Sequence, residues 1–288
     1  MMTGGPPDLG GRVHLPHQTG GRPRDGRRSL LIAIVSSIAV FGLIGWLVLT
    51  SPGWSLVQHS FFNPDYIGKS WPGQVDAIAV NVQLFLIAEA CILPFALFLA
   101  VVRSLPGPVF FPIRVMAIVY TDFFRGVPSV LIIFILGFGV PALGIEWLPN
   151  DPFFWGVVTL VLVYSAYVSE VYRAGIESVH PSQAAAARSL GLTHLQALRY
   201  VVIPQAVRRV IPPLLNDFIG LQKDTAFVSF IGVIEVFRQA QVDESASFNF
   251  TPYLVTAALF LILTVPLIHV TDWLVARDRG RQLAGVTP

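Results

Sequence analysis

Residues 30–50 read LLIAIVSSIAVFGLIGWLVLT, twenty-one residues without a charge. About 20 apolar residues are needed to cross the hydrocarbon layer of a bilayer, and inside that layer only helices and closed barrels satisfy their own backbone. The run therefore predicts a membrane helix. Similar stretches follow, and six spans are expected at about 30–50, 75–102, 113–140, 153–174, 212–237 and 251–275. The fold class this implies is an all-α polytopic membrane protein with about six transmembrane helices. Residues 30–50 are longer than a signal-peptide core and lack a small-x-small cleavage site, so an uncleaved anchor is expected. The fifth stretch, PPLLNDFIGLQKDTAFVSFIGVIEVF, carries several polar residues and has the least distinct ends.

The composition agrees. Hydrophobic residues make up 54% of the 288 and charged residues only 12%, about half the charge of a soluble domain. The distribution of charge matters more than its +2 sum. With the N-terminus in the cytoplasm and alternating spans, the inner segments hold fifteen of the 19 basic residues, and the outer segments hold only Lys69 and Arg238. Positive charge collects inside. A multi-pass protein of the cytoplasmic (inner) membrane, both termini cytoplasmic, is the expectation. Residues 1–29, rich in Gly, Pro and Arg, read as a disordered cytoplasmic tail. Residues 51–74 read as an extracytoplasmic loop and 276–288 as a cytoplasmic tail.

Chemistry-bearing motifs are scarce. NPDYIGKS imitates the end of a phosphate-binding loop, but Asn63 stands where its first glycine belongs, and the segment falls outside the cell. The lone Cys91 excludes an internal disulfide and reads as a packing residue. The six histidines are scattered. Neither a catalytic group nor a metal site is expected, and no cofactor is expected to bind this chain.

One polar stretch stands out, PSQAAAARSLGLTHLQALRYVVIPQAVRRVIPP, Pro181 to Pro213. Ser182 is placed to cap a helix of high propensity through QAAAARSL. Gly191 sits where a helix closes in a left-handed residue. Thr193 and Gln196 have capping-box spacing for a second helix, which Pro204 is expected to end. Gln183, Ala186, Ala187 and Leu190 share one face of the first helix, and Leu195, Leu198 and Val202 one face of the second. Such a hairpin can be a connector, a DNA-binding helix-turn-helix or a docking element. Its second helix offers leucines and alanines rather than base-reading groups, and it is tethered to membrane on both sides, so no nucleic-acid partner is expected.

The spacing A-A-x3-G, then nine residues, then VVIP, resembles the EAA loop of ABC-importer permeases, E-A-A-x3-G-x9-I-x-L-P. Ala185, Ala186, Ala187, Gly191, Val201, Ile203 and Pro204 fall on its positions. More narrowly, YTDFFRGVP (Tyr120 to Pro128), YVSEVYRAGIESVHPSQ (Tyr167 to Gln183) and IPQAVRRVIPPLLNDFIGLQKDTAFVSFIGV (Ile203 to Val233) are similar, in order, to blocks of the histidine, glutamine and glutamate permeases. The likeness covers about 75–275. Two departures stand out: Ala185 replaces the acidic residue of the triplet, and Ser182 replaces the usual glycine before Gln183.

What the resemblance implies is a type I permease core of five spans, here with one added N-terminal span. It implies ATPase coupling through the loop at about 181–204, with Gln183, Ala185, Ala186, Ala187, Gly191 and Pro204 as contacts. The partners implied are two copies of an ABC ATPase subunit that binds the ATP and Mg, a second permease chain, an extracytoplasmic amino-acid-binding protein and the lipid bilayer.

Charges within spans mark a possible route. An ionised side chain at mid-bilayer costs about 2.5–3.5 kcal/mol on insertion scales, so those in the fifth span need partners or water. The candidates are Glu89, Asp122, Arg125, Asn216, Asp217, Lys223 and Asp224. Asp122 and Arg125 have the spacing of a helical pair. These groups can lock the bundle in structural pairs or form a site for a zwitterion, with cation to carboxylate and acid to ammonium. The expected function is ATP-driven uptake of a polar amino acid. An ion-coupled secondary transporter is the alternative, although the paired repeats of that class are not evident.

Overall fold

The computed structural model describes residues 26–105 and 107–284, and every regular element among them is helical. Of the tail expected at 1–29, residues 1–25 lie outside the described residues, as do 106 and 285–288, and residues 26–29 are helical. The chain divides into two units, Met1–Leu56 and Val57–Pro288. The first contains α1 (Gly26–Leu49), a single unbroken helix. At 1.5 Å per residue it is about 36 Å long, enough to cross a bilayer. None of its most apolar 18-residue window is buried.

The second unit holds the remaining helices. Residues 51–74 are not an open loop: α2 (Trp54–Phe61) is followed at once by α3 (Pro64–Ser104). Asn63 caps α3, its side-chain oxygen accepting from Asp65 N at 3.1 Å, with Pro64 opening the first turn. The stretch that imitates a phosphate loop is thus a helix start. Its Lys69 lies over the ring of Tyr66. Along α3, Leu84, Ala88, Ile92 and Ala96 recur every four residues and are fully buried. This stripe packs on α6 (Pro152–Glu177), itself capped by Asp151. Small residues in the stripe let the two backbones approach closely. Cys91 faces outward and is exposed, so it is not the packing residue expected.

The span expected at 113–140 is broken. α4 (Phe111–Gly126) and α5 (Ser129–Phe134), which continues through a π turn and a 3₁₀ turn to Leu143, meet at 104°. The cause is Pro128, which drives its predecessor out of the helical region: Val127 sits at φ −95°, ψ 132°.

The polar stretch forms α7 (Pro181–Ser189), α8 (His194–Ala197), a π turn (Leu198–Val202) and α9 (Ile203–Asp224). Beyond α9 come a 3₁₀ segment (Thr225–Ile231), α10 (Val236–Ser247) and α11 (Thr251–Ala284). The stretch expected as a fifth span, 212–237, is therefore not one helix. Its α-form begins well before residue 212 and is lost at Asp224. Four described helical stretches are long and apolar enough to cross a membrane, or five if α4 and α5 form one bent span. α9 is not among them, because its arginines, Asn216, Asp217 and Lys223 lower its hydropathy. The expected tail at 276–288 is helical as far as Ala284.

The core lies between α3, α6, α9 and the 3₁₀ segment, centred on Leu84, Ile92, Trp155, Val163, Leu221 and Val228. Tyr120 ties α4 to this core by donating to the Leu162 carbonyl at 2.7 Å.

Candidate functional site

Two polar features interrupt the apolar bundle, and α9 belongs to both. The first is the hairpin. His180 rather than Ser182 caps α7: its Nδ1 accepts from Ser182 N at 3.2 Å. Pro181, with φ preset for a first helical position, moves the start two residues earlier than expected. Gly191 has φ +90°, the left-handed close expected of it. Gly191 N donates to the Arg188 carbonyl and Leu192 N to that of Ala187. Thr193 and Gln196 form the reciprocal capping box.

Pro204 does not end the second helix. Ile203 N donates five residues back to the Leu198 carbonyl in the π turn, and Pro204, which has no N–H to give, follows directly, so the widened turn absorbs the missing donor. The second helix of the hairpin therefore runs on into α9.

Ala187 and Ala197 are buried and hold the hairpin together, whereas Gln183, Ala185 and Ala186 are exposed. Leu190 is 83% exposed and Leu195 74%, a pair of large apolar side chains at the tip. A hollow of about 530 Å³ opens beside them, lined by Ala185, Arg188, Gly191, Leu192 and His194 among others. At its base the hairpin is tied to α6. Arg209 donates to the Ser178 carbonyl, and Val210 presses into the notch left by Gly175.

The second feature is a cleft along α9 and α6. A cavity of about 190 Å³ is lined by Ser129, Tyr164, Tyr167, Asn216, Asp217, Gly220 and Asp224. A second, of about 400 Å³, is lined by Arg125, Tyr167, Glu170, Arg209, Pro213 and Asp217 among others. Asp217 and Tyr167 border both, so the two hollows adjoin. Tyr164 donates to Asp224 Oδ2 at 2.8 Å, and Asp217 Oδ2 is buried without a partner. Asn216, Asp217 and Asp224 thus meet on one wall, and Glu89, half-buried on α3, lines neither cavity.

Lys223 and Asp122 lie elsewhere, and Arg125, although it lines the larger cavity, is not paired as expected. Lys223 is exposed, lines neither cavity and has no ion pair among the described residues. It does not lock Asp122 or Glu89. Successive helical residues point about 100° apart, which turns Lys223 away while Asp224 faces the cleft. Asp122 is exposed as well, and Arg125 does not pair with it. Arg125 instead reaches Glu170 at 3.8 Å and lies over the ring of Tyr167. The bend after Gly126 brings the end of α4 against α6 and gives Arg125 a better acceptor.

Glu170 was not singled out from sequence. It accepts from Arg103 and from Arg173, the latter at 2.8 Å, besides facing Arg125. The i, i+3 and i, i+4 spacing of Glu170, Arg173 and Glu177 was a readable signal. Arg103 lies 67 positions away, and only the fold brings it there.

With this geometry in view, comparison with known proteins is informative. Residues 92–279 match the family described as binding-protein-dependent transport system inner membrane component. A "Probable glutamine ABC transporter permease protein" of Bacillus subtilis (strain 168) is 38% identical over 160 residues, 55% of this chain and 73% of the relative. A "Probable amino-acid permease protein" of the same organism is 31% identical over 202 residues, 70% of this chain and 89% of the relative. Among solved structures, one described as an amino acid ABC transporter with histidines superposes with a TM-score of 0.67. It has 33% identity, over 73% of this chain and 96% of that one. A methionine ABC transporter chain, at 16% identity and a TM-score of 0.57, shares the fold. The all-helical bundle, the match across 92–279 and the coverage of these relatives place the chain in the family of binding-protein-dependent transport system inner membrane components, as a multi-pass permease subunit of an ABC importer.

Proposed function

We propose that this permease carries a polar amino acid inward, with the cleft on α9 as part of the substrate route and the hairpin as the seat of a separate ATPase. The observation that carries the proposal is the continuity of α9. One helical path runs from the exposed hairpin tip to the wall formed by Asn216, Asp217 and Asp224. α9 runs about 33 Å over its 22 residues and keeps its α-form through Pro212 and Pro213, each of which lacks one backbone donor. Displacement of the hairpin by a partner therefore moves the acids of the cleft.

Several features favour docking by shape. Leu190 and Leu195 present apolar surface at the tip, and Ala185 and Ala186 offer no bulk beside them. With Ala185 in place of an acid, the contact relies on packing. Two ATPase copies, holding ATP and Mg, then sit beneath two permease chains, and an extracytoplasmic binding protein delivers the substrate. Both termini and the hairpin are cytoplasmic in this scheme, as the basic residues favour. α9 crosses as a sixth span whose low hydropathy reflects its role as wall of a polar route, and α1 is an addition to a five-span core. The named relatives are described as glutamine and amino-acid permeases and an amino acid transporter, which supports that substrate class here. Asp217 and Asp224 suit its ammonium group.

Reconstitution tests the proposal. Liposomes holding the permease, its partner ATPase and the loaded binding protein take up labelled amino acid only with internal ATP. Uptake by the permease alone, driven by an imposed ion gradient, contradicts it and identifies an ion-coupled secondary transporter.

A further inference from the structure

Beyond the cleft, at the far end of α9, three polar side chains are buried together. Glu235 is fully buried, ahead of α10. Its Oε1 accepts from Arg238 N at 2.7 Å, and its Oε2 from Phe237 N at 2.9 Å and from Asn81 Nδ2 at 2.9 Å. Asn81, 1% exposed on α3, gives its second N–H to Thr225 Oγ1 at 3.0 Å. Its Oδ1 accepts from Val236 N at 3.1 Å. Thr225, also fully buried, passes its own proton to the Gln222 carbonyl at 2.7 Å. Both amide protons and the carbonyl of Asn81 are used, each toward a different atom.

The placement is what matters. Thr225 is the first residue beyond the α-form of α9, and its neighbour Asp224 holds Tyr164 in the cleft wall. A 3₁₀ segment has poorer hydrogen-bond geometry than an α-helix, so side-chain bonds weigh more in deciding where it lies. The segment is also seated tightly. Ile231 lies against Gly137 and Val228 against Gly156, and a Cβ at either glycine would come within 2.5 and 2.8 Å of them. Glu235 caps the first turn of α10 with two backbone bonds, from Phe237 N and Arg238 N, and Asn81 Oδ1 takes the N–H of Val236. The third bond, to Asn81, is not needed for that cap; it joins α10 to α3 and, through Thr225, to the break in α9.

We infer that Asn81, Thr225 and Glu235 are positioning residues for transport: they fix where α9 gives way and tie that point to α10, so that α10 and the Asp224–Tyr164 wall shift together. The inference rests on the proposed route through the cleft. A buried polar set of this kind sets geometry because each member is costly without its partners. α10, a mostly polar helix between two spans with Arg238, Val242, Ser245 and Ala246 exposed, is the element a binding protein can press on in the proposed orientation.

The test compares Thr225→Val, which keeps shape and removes the hydroxyl, with Thr225→Ser, which keeps the hydroxyl. Both are assayed in the reconstituted complex with binding protein and a mixture of radiolabelled L-amino acids. The valine variant is expected to assemble and to keep basal ATP hydrolysis, while its uptake per assembled complex falls roughly tenfold, the effect of one lost buried hydrogen bond. The serine variant recovers most of that uptake. Glu235→Gln, with one oxygen left for three N–H groups, is expected to resemble the valine variant. Equal uptake by Thr225→Val and Thr225→Ser overturns the inference. So does loss of assembly in Thr225→Val and Glu235→Gln with uptake per assembled complex unchanged, since the cluster then serves folding alone. Asp224→Asn separates the two levels: full uptake by that variant, with Thr225→Val still impaired, removes the proposed route and not the positioning role.

Discussion

Replacing Gly156 by alanine probes the seat of the 3₁₀ segment, and the structure sets its sign. A Cβ at 156 would lie 2.8 Å from Val228 Cγ1 and 3.2 Å from Val228 Cβ, with Leu84 Cδ2 at 3.9 Å behind it. Ordinary contact begins near 3.4 Å, so the helix and the segment must part by about 0.6 Å or Val228 must turn. A β-branched side chain turns at a cost, and Val228 is fully buried. Overpacking of this kind costs about 1–3 kcal/mol. Against it stands the gain of about 1 kcal/mol from replacing glycine inside a helix. The net effect is a loss of about 0–2 kcal/mol.

A double-mutant cycle removes the helix contribution, because it is present in both backgrounds. Val228→Ala removes Cγ1 and leaves only the 3.2 Å approach to Cβ, 0.2 Å short of ordinary contact, so in that background Gly156→Ala is expected to stabilise by up to about 1 kcal/mol. The interaction energy is then about 1–3 kcal/mol, well above the roughly 0.5 kcal/mol within which independent sites add. Equilibrium unfolding in mixed micelles measures it for all four proteins. Additivity within that margin, or the same loss for Gly156→Ala in both backgrounds, refutes the described contact.

The hairpin and the charges give further expectations. Gly191→Val leaves the protein in the membrane but costs about 1–2 kcal/mol at φ +90°, through a left-handed residue with a branched side chain, and weakens capture of the ATPase; normal capture and uptake contradict this. In a Cys91→Ala background, Asn63→Cys reacts with a membrane-impermeant thiol reagent on intact cells and Thr193→Cys does not, and labelling at 193 overturns the orientation. Lys223→Met assembles normally, and neutralising Asp122 or Glu89 has no rescuing effect because neither pairs with it; rescue by either restores the lock that the geometry lacks.

Where sequence was a good guide, the signal was local and repeated. Continuous apolar runs located α1, α3, α6 and α11, since hydropathy depends on neighbours in the chain. The capping box of Thr193 and Gln196 and the left-handed Gly191 were legible for the same reason. The polar span failed on the same criterion: α9 carries charges that its tertiary surroundings accommodate, and no window average reports that. Pro204 was misleading because a π turn moved its missing N–H to a harmless place, and Pro128 was given too little weight as a breaker. Of the site, Asn216, Asp217 and Asp224 were readable as misplaced polar groups. Which of them shared a cavity, and that Arg125 would choose Glu170 over Asp122, depended on contacts made across 40 or more positions.

The central claim, that α9 carries the motion of the hairpin to the cleft, is tested by breaking the helix between them. Val207 is half exposed and lines neither cavity. Pro212 and Pro213 already remove two backbone bonds further along α9; a proline at 207 removes another and clashes with the carbonyl of Ile203, a cost of about 3 kcal/mol in a helix interior. The measurement is amino acid taken up per ATP hydrolysed by the reconstituted Val207→Pro complex. With the hairpin tip and cleft both intact, the account predicts that the ATPase still binds and hydrolyses ATP while uptake per ATP collapses. Uptake per ATP equal to that of the unaltered complex contradicts it.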